Sequence, residues 1–196
     1  IIMKVHVVTF IYNRPEFIKL MIKNWLSIDY PRSKLEWIIV DDSPNDTTYN
    51  LIFEEIENLD SFDQIRLIKV DFHMKLGQKR NFINNLARND YIVHMDDDDF
   101  YPSCSVVARI RVLLEHEKRI FLEQISSIVG CSTVNCYDLI TDKTFEAYDK
   151  SIFTISESTM AYNKNILKWH KYNDEDTITE CFYFINDTYV CTMPSS

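Results

Sequence analysis

Glycine is scarce, with two residues in 196, and no stretch is rich in proline or serine. That excludes a flexible linker, a repeat array and a low-complexity tract, and predicts one domain over residues 1–196. Positive charge is also short: 21 Lys and Arg face 30 Asp and Glu, for a net charge of -9. No nucleic-acid partner is expected, since binding a nucleic-acid backbone needs basic patches. An acidic chain that handles anionic phosphates must bring a metal ion or a few placed basic residues. No CxxC spacing occurs among Cys104, Cys131, Cys136, Cys181 and Cys191. Zinc and dithiol redox chemistry are therefore not expected, and the thiols are read as reduced and buried. No apolar run reaches the roughly 18 residues of a spanning helix, and no signal-peptide pattern opens the chain, so a soluble, cytoplasmic protein without a transmembrane segment is expected. What the chain does have is a hydrophobic content of 46%, enough for a full core at this length.

One stretch departs from that ordinary composition. The apolar strand Tyr91-Ile92-Val93-His94-Met95 runs without a spacer into Asp96-Asp97-Asp98-Asp99 and then into Phe100-Tyr101-Pro102. Four adjacent carboxylates repel one another and are tolerable only if solvated or neutralised by a cation. On an extended backbone Asp96 and Asp98 share one face while Asp97 and Asp99 share the other. One face can then hold a metal. Hard oxygen ligands at the end of a buried strand suit Mg2+ or Mn2+, ions that keep coordination positions for substrate phosphates. The alternative is a solvated acidic turn. The flanks, a strand before and Phe-Tyr-Pro after, favour the site.

The rest of the first half alternates regularly. Lys4 to Ile11 reads as a strand buried on both faces and stops at Tyr12-Asn13-Arg14-Pro15, where Pro15 suits a first helical turn. A helix from Pro15 to Ser27 carries Phe17, Ile18, Met21, Ile22 and Trp25 at helical spacing. Then come a strand from Leu35 to Val40 ending at Asp41-Asp42-Ser43-Pro44, a helix from Thr47 to Leu59, a strand from Ile65 to Val70 and a helix from Gly77 to Ala87. This order predicts the α/β class, a mostly parallel sheet flanked by helices. Polar residues gather at its carboxyl edge, where such sheets bind ligands. Residues 1–102 form the binding half. Residues 103–196 are less regular: a helix from Ser103 to Glu117, strand pieces in Ile128 to Leu139 and Phe145 to Tyr148, a segment Thr159 to Trp169, a polar loop Tyr172 to Asp176, a short helix Thr179 to Ile185 and a strand Tyr189 to Thr192. They are read as the other wall of a cleft.

Four motifs in order carry a resemblance: Val7-Val8-Thr9-Phe10-Ile11-Tyr12-Asn13-Arg14-Pro15, Ile38-Ile39-Val40-Asp41-Asp42-Ser43, Gly77-Gln78-Lys79-Arg80-Asn81 and Met95-Asp96-Asp97-Asp98-Asp99. With them the sequence resembles the family 2 glycosyltransferases, whose GT-A fold is a Rossmann-like, mixed but mostly parallel sheet. The resemblance implies that Tyr12 flanks a nucleotide base and that Asp42 accepts a hydrogen bond from the imide N–H of uracil. Arg80 would lie near the base or diphosphate, and the turn at Gly77 would offer free backbone N–H groups. Asp96 and Asp98 would be the DxD metal ligands for Mn2+ or Mg2+, with Asp97 reaching the ribose. Phe10, Arg14 and Lys79 complete the implied nucleotide-sugar set. The implied reaction moves a sugar from a UDP-sugar to a hydroxyl of a glycan or glycoconjugate acceptor, with inversion, and needs a carboxylate base. Asp174-Glu175-Asp176-Thr177-Ile178-Thr179-Glu180-Cys181-Phe182 matches the family's acidic stretch. Glu180 is then the implied base and Asp176 the second choice. Plain alternatives stand beside these roles: a surface ion pair for Arg80, an Asx turn or cap for Asp42, a helix cap for Glu180.

Two departures from the family pattern bear on the expectation. Asp41-Asp42-Ser43-Pro44 lacks the glycine that many relatives carry there. Relatives also often place a metal-binding His after the last strand, whereas this sequence ends Pro194-Ser195-Ser196, and His170 is read as a surface or acceptor-side residue. An amino-terminal part of a longer polypeptide with further domains is expected. The rival enzyme is a nucleotidyltransferase, whose Gly-rich basic phosphate loop Tyr12-Asn13-Arg14-Pro15 does not resemble. The rival non-enzyme is a nucleotide-sugar or cation-binding module. An EF-hand is excluded by the missing glycine and terminal Glu spacing.

Overall fold

The structure, a computed structural model, describes residues 2–119, 127–148, 155–168, 170–177 and 189–193. Strands β1 (Val5–Ile11), β2 (Leu35–Asp41), β3 (Ile65–Lys69) and β4 (Tyr91–His94) alternate with helices α1 (Ile18–Ser27), α2 (Thr47–Ile56) and α3 (Leu76–Leu86). Pro15, which cannot donate a backbone hydrogen bond, opens a 3-10 turn over Pro15–Phe17 ahead of α1 rather than a full α-turn. The second half adds α4 (Ser105–Arg119), β5 (Ser127–Cys131), β6 (Thr133–Asp138), β7 (Lys143–Tyr148), β8 (Ala161–Asn163) and β9 (Tyr189–Met193).

Seven strands form one sheet in the order β3-β2-β1-β4-β8-β5-β9. The pairs β3–β2, β2–β1 and β1–β4 are parallel, β8 is antiparallel to both β4 and β5, and β5 is parallel to β9. This is the mixed, mostly parallel α/β sheet that the alternation of apolar runs predicts. Every residue of β1 is buried because both faces are covered. Val5, Val7 and Ile11 enter a core with Trp25 of α1, Ile52 of α2 and Ile110 of α4. Val8 and Phe10 enter the opposite core with Ile83 of α3 and Tyr162 of β8. The pair β6–β7 stands apart as a second, two-stranded sheet. The short helix expected over Thr179 to Ile185 lies outside the described residues. The expectation of buried cysteines needs correction: Cys104 is exposed and Cys131 and Cys136 are half-buried, because they sit outside both cores, and all three are free thiols. Among the described residues no helix is long and apolar enough to cross a membrane.

One polar group is buried at the amino edge of the sheet. His6 of β1 is fully enclosed, and its Nε2 accepts the N–H groups of Arg88 and Asn89 at 2.7 and 2.8 Å. That fixes the proton on Nδ1, which faces Glu36 Oε2 at 3.4 Å. Burial pushes the imidazole down to about 4, against the opposing pull of Glu36. The folded state therefore binds fewer protons than the unfolded chain between the ordinary value of 6.5 and about 4. This contribution to stability is complete above that window and is lost as pH falls through it. His6→Gln, which keeps an acceptor but cannot ionise, is expected to lose less stability than wild type on going from about pH 7.5 to about pH 5, by on the order of 2 kcal/mol in urea titrations.

Candidate active site

The acidic run begins where β1 stops supporting β4. Met95 N–H still donates to the Val8 carbonyl at 2.9 Å, and the Thr9 hydroxyl donates to the Met95 carbonyl at 2.6 Å. Beyond that point the chain turns at residues 97–98. The expected alternation of faces along Asp96 to Asp99 does not hold, because it required an extended backbone. Asn24 of α1 imposes the turn: its amide donates to the Asp99 carbonyl at 2.7 Å and accepts the Tyr101 N–H at 3.1 Å. Tyr101 Oη accepts the Asp96 N–H and donates to the Ser158 carbonyl, each at 2.9 Å. Asp97 and Asp98 consequently meet one guanidinium, with Arg14 Nη2 2.6 Å from Asp97 Oδ1 and Nη1 2.6 Å from Asp98 Oδ2. Asp96 turns instead toward Arg80, at 3.3 and 3.5 Å.

Asp97 is the strained member of the run. Its side chain is 1% exposed, and among the described residues its Oδ2 has no hydrogen-bond partner. Burial raises its carboxyl to about 7, with Asp98 and Asp96 adding to the rise and Arg14 opposing it. Asp99 is raised too, mainly by burial.

A second cluster lies at the ends of β2 and β3. Asp41 takes the Asx role, accepting the Ser43 N–H at 2.9 Å and the Ser43 hydroxyl. Ser43 Oγ in turn accepts the N–H of Asn13, which is held at φ 50°. Asp42 is buried between donors: Lys79 Nζ lies 2.7 Å from Oδ1 as an ion-pair partner, and Oδ2 is reached by the Met74 N–H and by His73 Nδ1, both at 2.9 Å. The open acceptor expected at Asp42 is thus engaged by the chain itself. The Tyr12 ring is exposed and lies 4.2 Å from the His73 ring, with Lys79 Nζ 5.3 Å from its centre. His73 was missed in the sequence. Its signal was its place just past the carboxyl end of β3, the same edge as the other motifs.

Arg80 is buried and spans Phe10, 5.3 Å from its ring centre, and His94 Nδ1 at 2.8 Å. An arginine can only donate, so His94 carries its proton on Nε2, which donates to Tyr162 Oη at 3.2 Å. Gly77 plays another part than the one expected. Its N–H is not free but donates to the Asp176 carbonyl at 3.2 Å, because loop 172–176 lies directly on the start of α3. A Cβ at Gly77 would stand 1.8 Å from the Asn173 carbonyl oxygen. Asn81 holds the same loop through both its amide atoms, to Tyr172 N–H and carbonyl at 3.0 and 2.7 Å. Asp176, the second candidate base, keeps a buried Oδ2 without a partner among the described residues. Glu180, the first candidate, lies outside them.

The profile of glycosyl transferase family 2 matches residues 6–187. The chain belongs to that family. Several solved structures share the fold of this family 2 chain. The mannosyltransferase PcManGT from Pyrobaculum calidifontis, in complex with GDP-Man and Mn2+, superposes with a TM-score of 0.73 at 18% identity, over 99% of this chain and 55% of that one. Residues 1–349 of S. aureus TarS superpose with a TM-score of 0.68 at 17% identity, over 98% of this chain and 59% of that one. TarS 1–349 is also solved with UDP and with UDP-GlcNAc. At these identities the likeness is one of fold, the GT-A fold that the sequence implied. The chain spans a little over half the length of these structures. No curated protein matches it.

The donor atoms at the acidic turn suit a hard divalent cation. They are carboxylate oxygens, and one of them, Asp97 Oδ2, is buried without a hydrogen-bond partner among the described residues. Among the described residues no three His, Cys, Asp or Glu side chains converge as a closed cage. An open site that completes its shell with water and phosphate needs none. In the folded, metal-free protein Asp97 holds more protons than the unfolded chain between 3.8 and about 7. Its contribution to stability therefore falls as pH rises through that window. In EDTA, Asp97→Asn is expected to gain stability relative to wild type on going from about pH 4 to about pH 8, by on the order of 3–4 kcal/mol in urea titrations.

Proposed function

We propose that this domain transfers a sugar from a UDP-sugar to a hydroxyl of a glycan or glycoconjugate acceptor, with inversion and with Mn2+ or Mg2+ bound. The observation that carries this reading is the meeting, at one carboxyl edge of a parallel sheet, of a base-sized cluster and a carboxylate turn. Tyr12, Asp42, Lys79 and His73 make the first, and Asp96, Asp97, Asp98, Arg14 and Arg80 make the second. In the first, an acceptor (Asp42) stands beside a donor (Lys79), which matches the imide N–H and carbonyl of uracil. Guanine shows a similar edge, so GDP is the control. The base reaches Asp42 by replacing His73, the more exposed of its two side-chain partners.

The carboxylates of Asp96 and Asp98, with Asp97 behind them, would hold the divalent ion. Bound there, it would offset the charge on the departing diphosphate. Arg80, buried against Phe10 and His94, keeps a fixed positive charge at the same place, where it costs no reorganisation during the reaction. The proton of the acceptor hydroxyl passes to a carboxylate from the loop that follows residue 172, Glu180 first and Asp176 second. Support for Asp176 as the reserve is its Oδ2, which no described donor engages.

Calorimetric titration of UDP and GDP with and without Mn2+ tests the donor half. UDP is expected to bind only with the ion, and Asp98→Ala to abolish that binding without unfolding the protein, since Asp98 is an exposed turn residue. Metal-independent or GDP-selective binding would remove the assignment of Asp42 and of the acidic turn. For the base, Glu180→Gln is expected to slow transfer by about 100-fold or more while leaving UDP affinity unchanged. A Glu180→Gln protein of normal rate, beside a slow Asp176→Asn, would move the role to Asp176.

A further inference from the structure

Arg14 approaches the acidic turn from the side of water. Asp97 is 1% exposed, whereas Arg14 and Asp98 are each 41% exposed, and one guanidinium spans both carboxylates at 2.6 Å. The backbone beneath it is pinned. Asn13 sits at φ 50° with its N–H on Ser43 Oγ at 2.8 Å, and Pro15 follows in a 3-10 turn. Only the torsions of the side chain itself are left to move the guanidinium. A divalent ion on Asp96 and Asp98 would need to come within about 2.1 Å of the Asp98 carboxylate oxygens, where Arg14 already places a full positive charge. The two cations cannot share them. The clamp is also incomplete, because Asp97 Oδ2 keeps no partner among the described residues.

We infer that Arg14 is a positioning residue that stands in for the divalent ion while the donor is absent, and is exchanged for it when a nucleoside diphosphate binds. This rests on the metal-dependent reading above and adds to it a mechanism of loading. The exchange never leaves the carboxylates without a counter-charge. The arriving diphosphate also supplies the anion that the released guanidinium needs, and its planar fork fits phosphate oxygens. Ion and nucleotide then bind with positive coupling, since each removes the obstacle to the other.

The test follows Mn2+ by the electron paramagnetic resonance signal of the free ion, in wild type, Arg14→Gln and Arg14→Lys, with and without UDP. Without nucleotide, Arg14→Gln is expected to bind Mn2+ about tenfold more tightly than wild type, the size of one competing charge at a partly exposed site. UDP is expected to tighten Mn2+ binding by a larger factor in wild type than in Arg14→Gln, with Arg14→Lys between the two. A purely structural arginine would give the opposite sign, a loosened turn and weaker Mn2+ binding in both variants. Equal or weaker affinity in Arg14→Gln overturns the inference and leaves the metal reading intact. No Mn2+ binding in any of the three proteins, with UDP or without, overturns both. Should circular dichroism show Arg14→Gln unfolded, Arg14→Lys carries the comparison with the same expected sign.

Discussion

Four carboxylates on successive residues repel one another wherever they are placed, and at the end of a buried strand water cannot relieve them all. The carboxyl edge of this sheet is organised around that repulsion. Arg14 neutralises Asp97 and Asp98 from the loop after β1, and Arg80 faces Asp96 from α3. Asn24 and Tyr101 hold the backbone in the turn that brings those charges within reach. The strand pairing β1–β4 therefore does more than build the core. It places the loop after β1 opposite the residues after β4, so that a guanidinium from one end meets the acids from the other.

Beneath the turn lies a buried polar layer that would be unfavourable without hydrogen-bond partners. Burial, and then the charges of Arg80 and Arg109, hold His94 well below the usual imidazole range, so it stays neutral. A neutral ring can accept from Arg80 on one side and donate to Tyr162 on the other, and Tyr162 donates on to Asn84 at 2.7 Å. Arg109 donates to the His94 carbonyl at 2.8 Å from α4. Through these bonds α3, β4, β8 and α4 are locked together under the acids. The orientation of Arg80 is thereby fixed by its contacts with His94 and Phe10 as much as by Asp96.

The fold was legible because its signal is apolar and local. Val5, Val7, Val8, Phe10 and Ile11 announce a strand covered on both faces, and the structure buries every one of them. The site was legible by residue type and only partly by geometry. The tetrad, Asp42, Arg80 and Lys79 do gather at one edge, yet the alternation of faces assumed for Asp96 to Asp99 failed, since a hydrogen bond from Asn24, more than seventy residues distant, bends the chain. The same kind of contact hid the engagement of Asp42 by His73 and the covering of Gly77 by loop 172–176. Each depends on a partner from another part of the chain, and periodicity within a window carries no information about it.

Among the described residues the hairpin of β6 and β7 shares no ladder with the seven-strand sheet. Leu139 and Ile140 at its tip are 78% and 94% exposed, and its turn is closed internally, by Asp138 accepting from Ile140 and Thr141. Because its described bonding is self-contained, residues can be added or removed there without shifting the register of any strand that carries the charged edge. The chain thus has a place where outward shape can vary while its charge-bearing edge stays constant, which separates the freedom to acquire new contacts from the constraint of keeping the old chemistry.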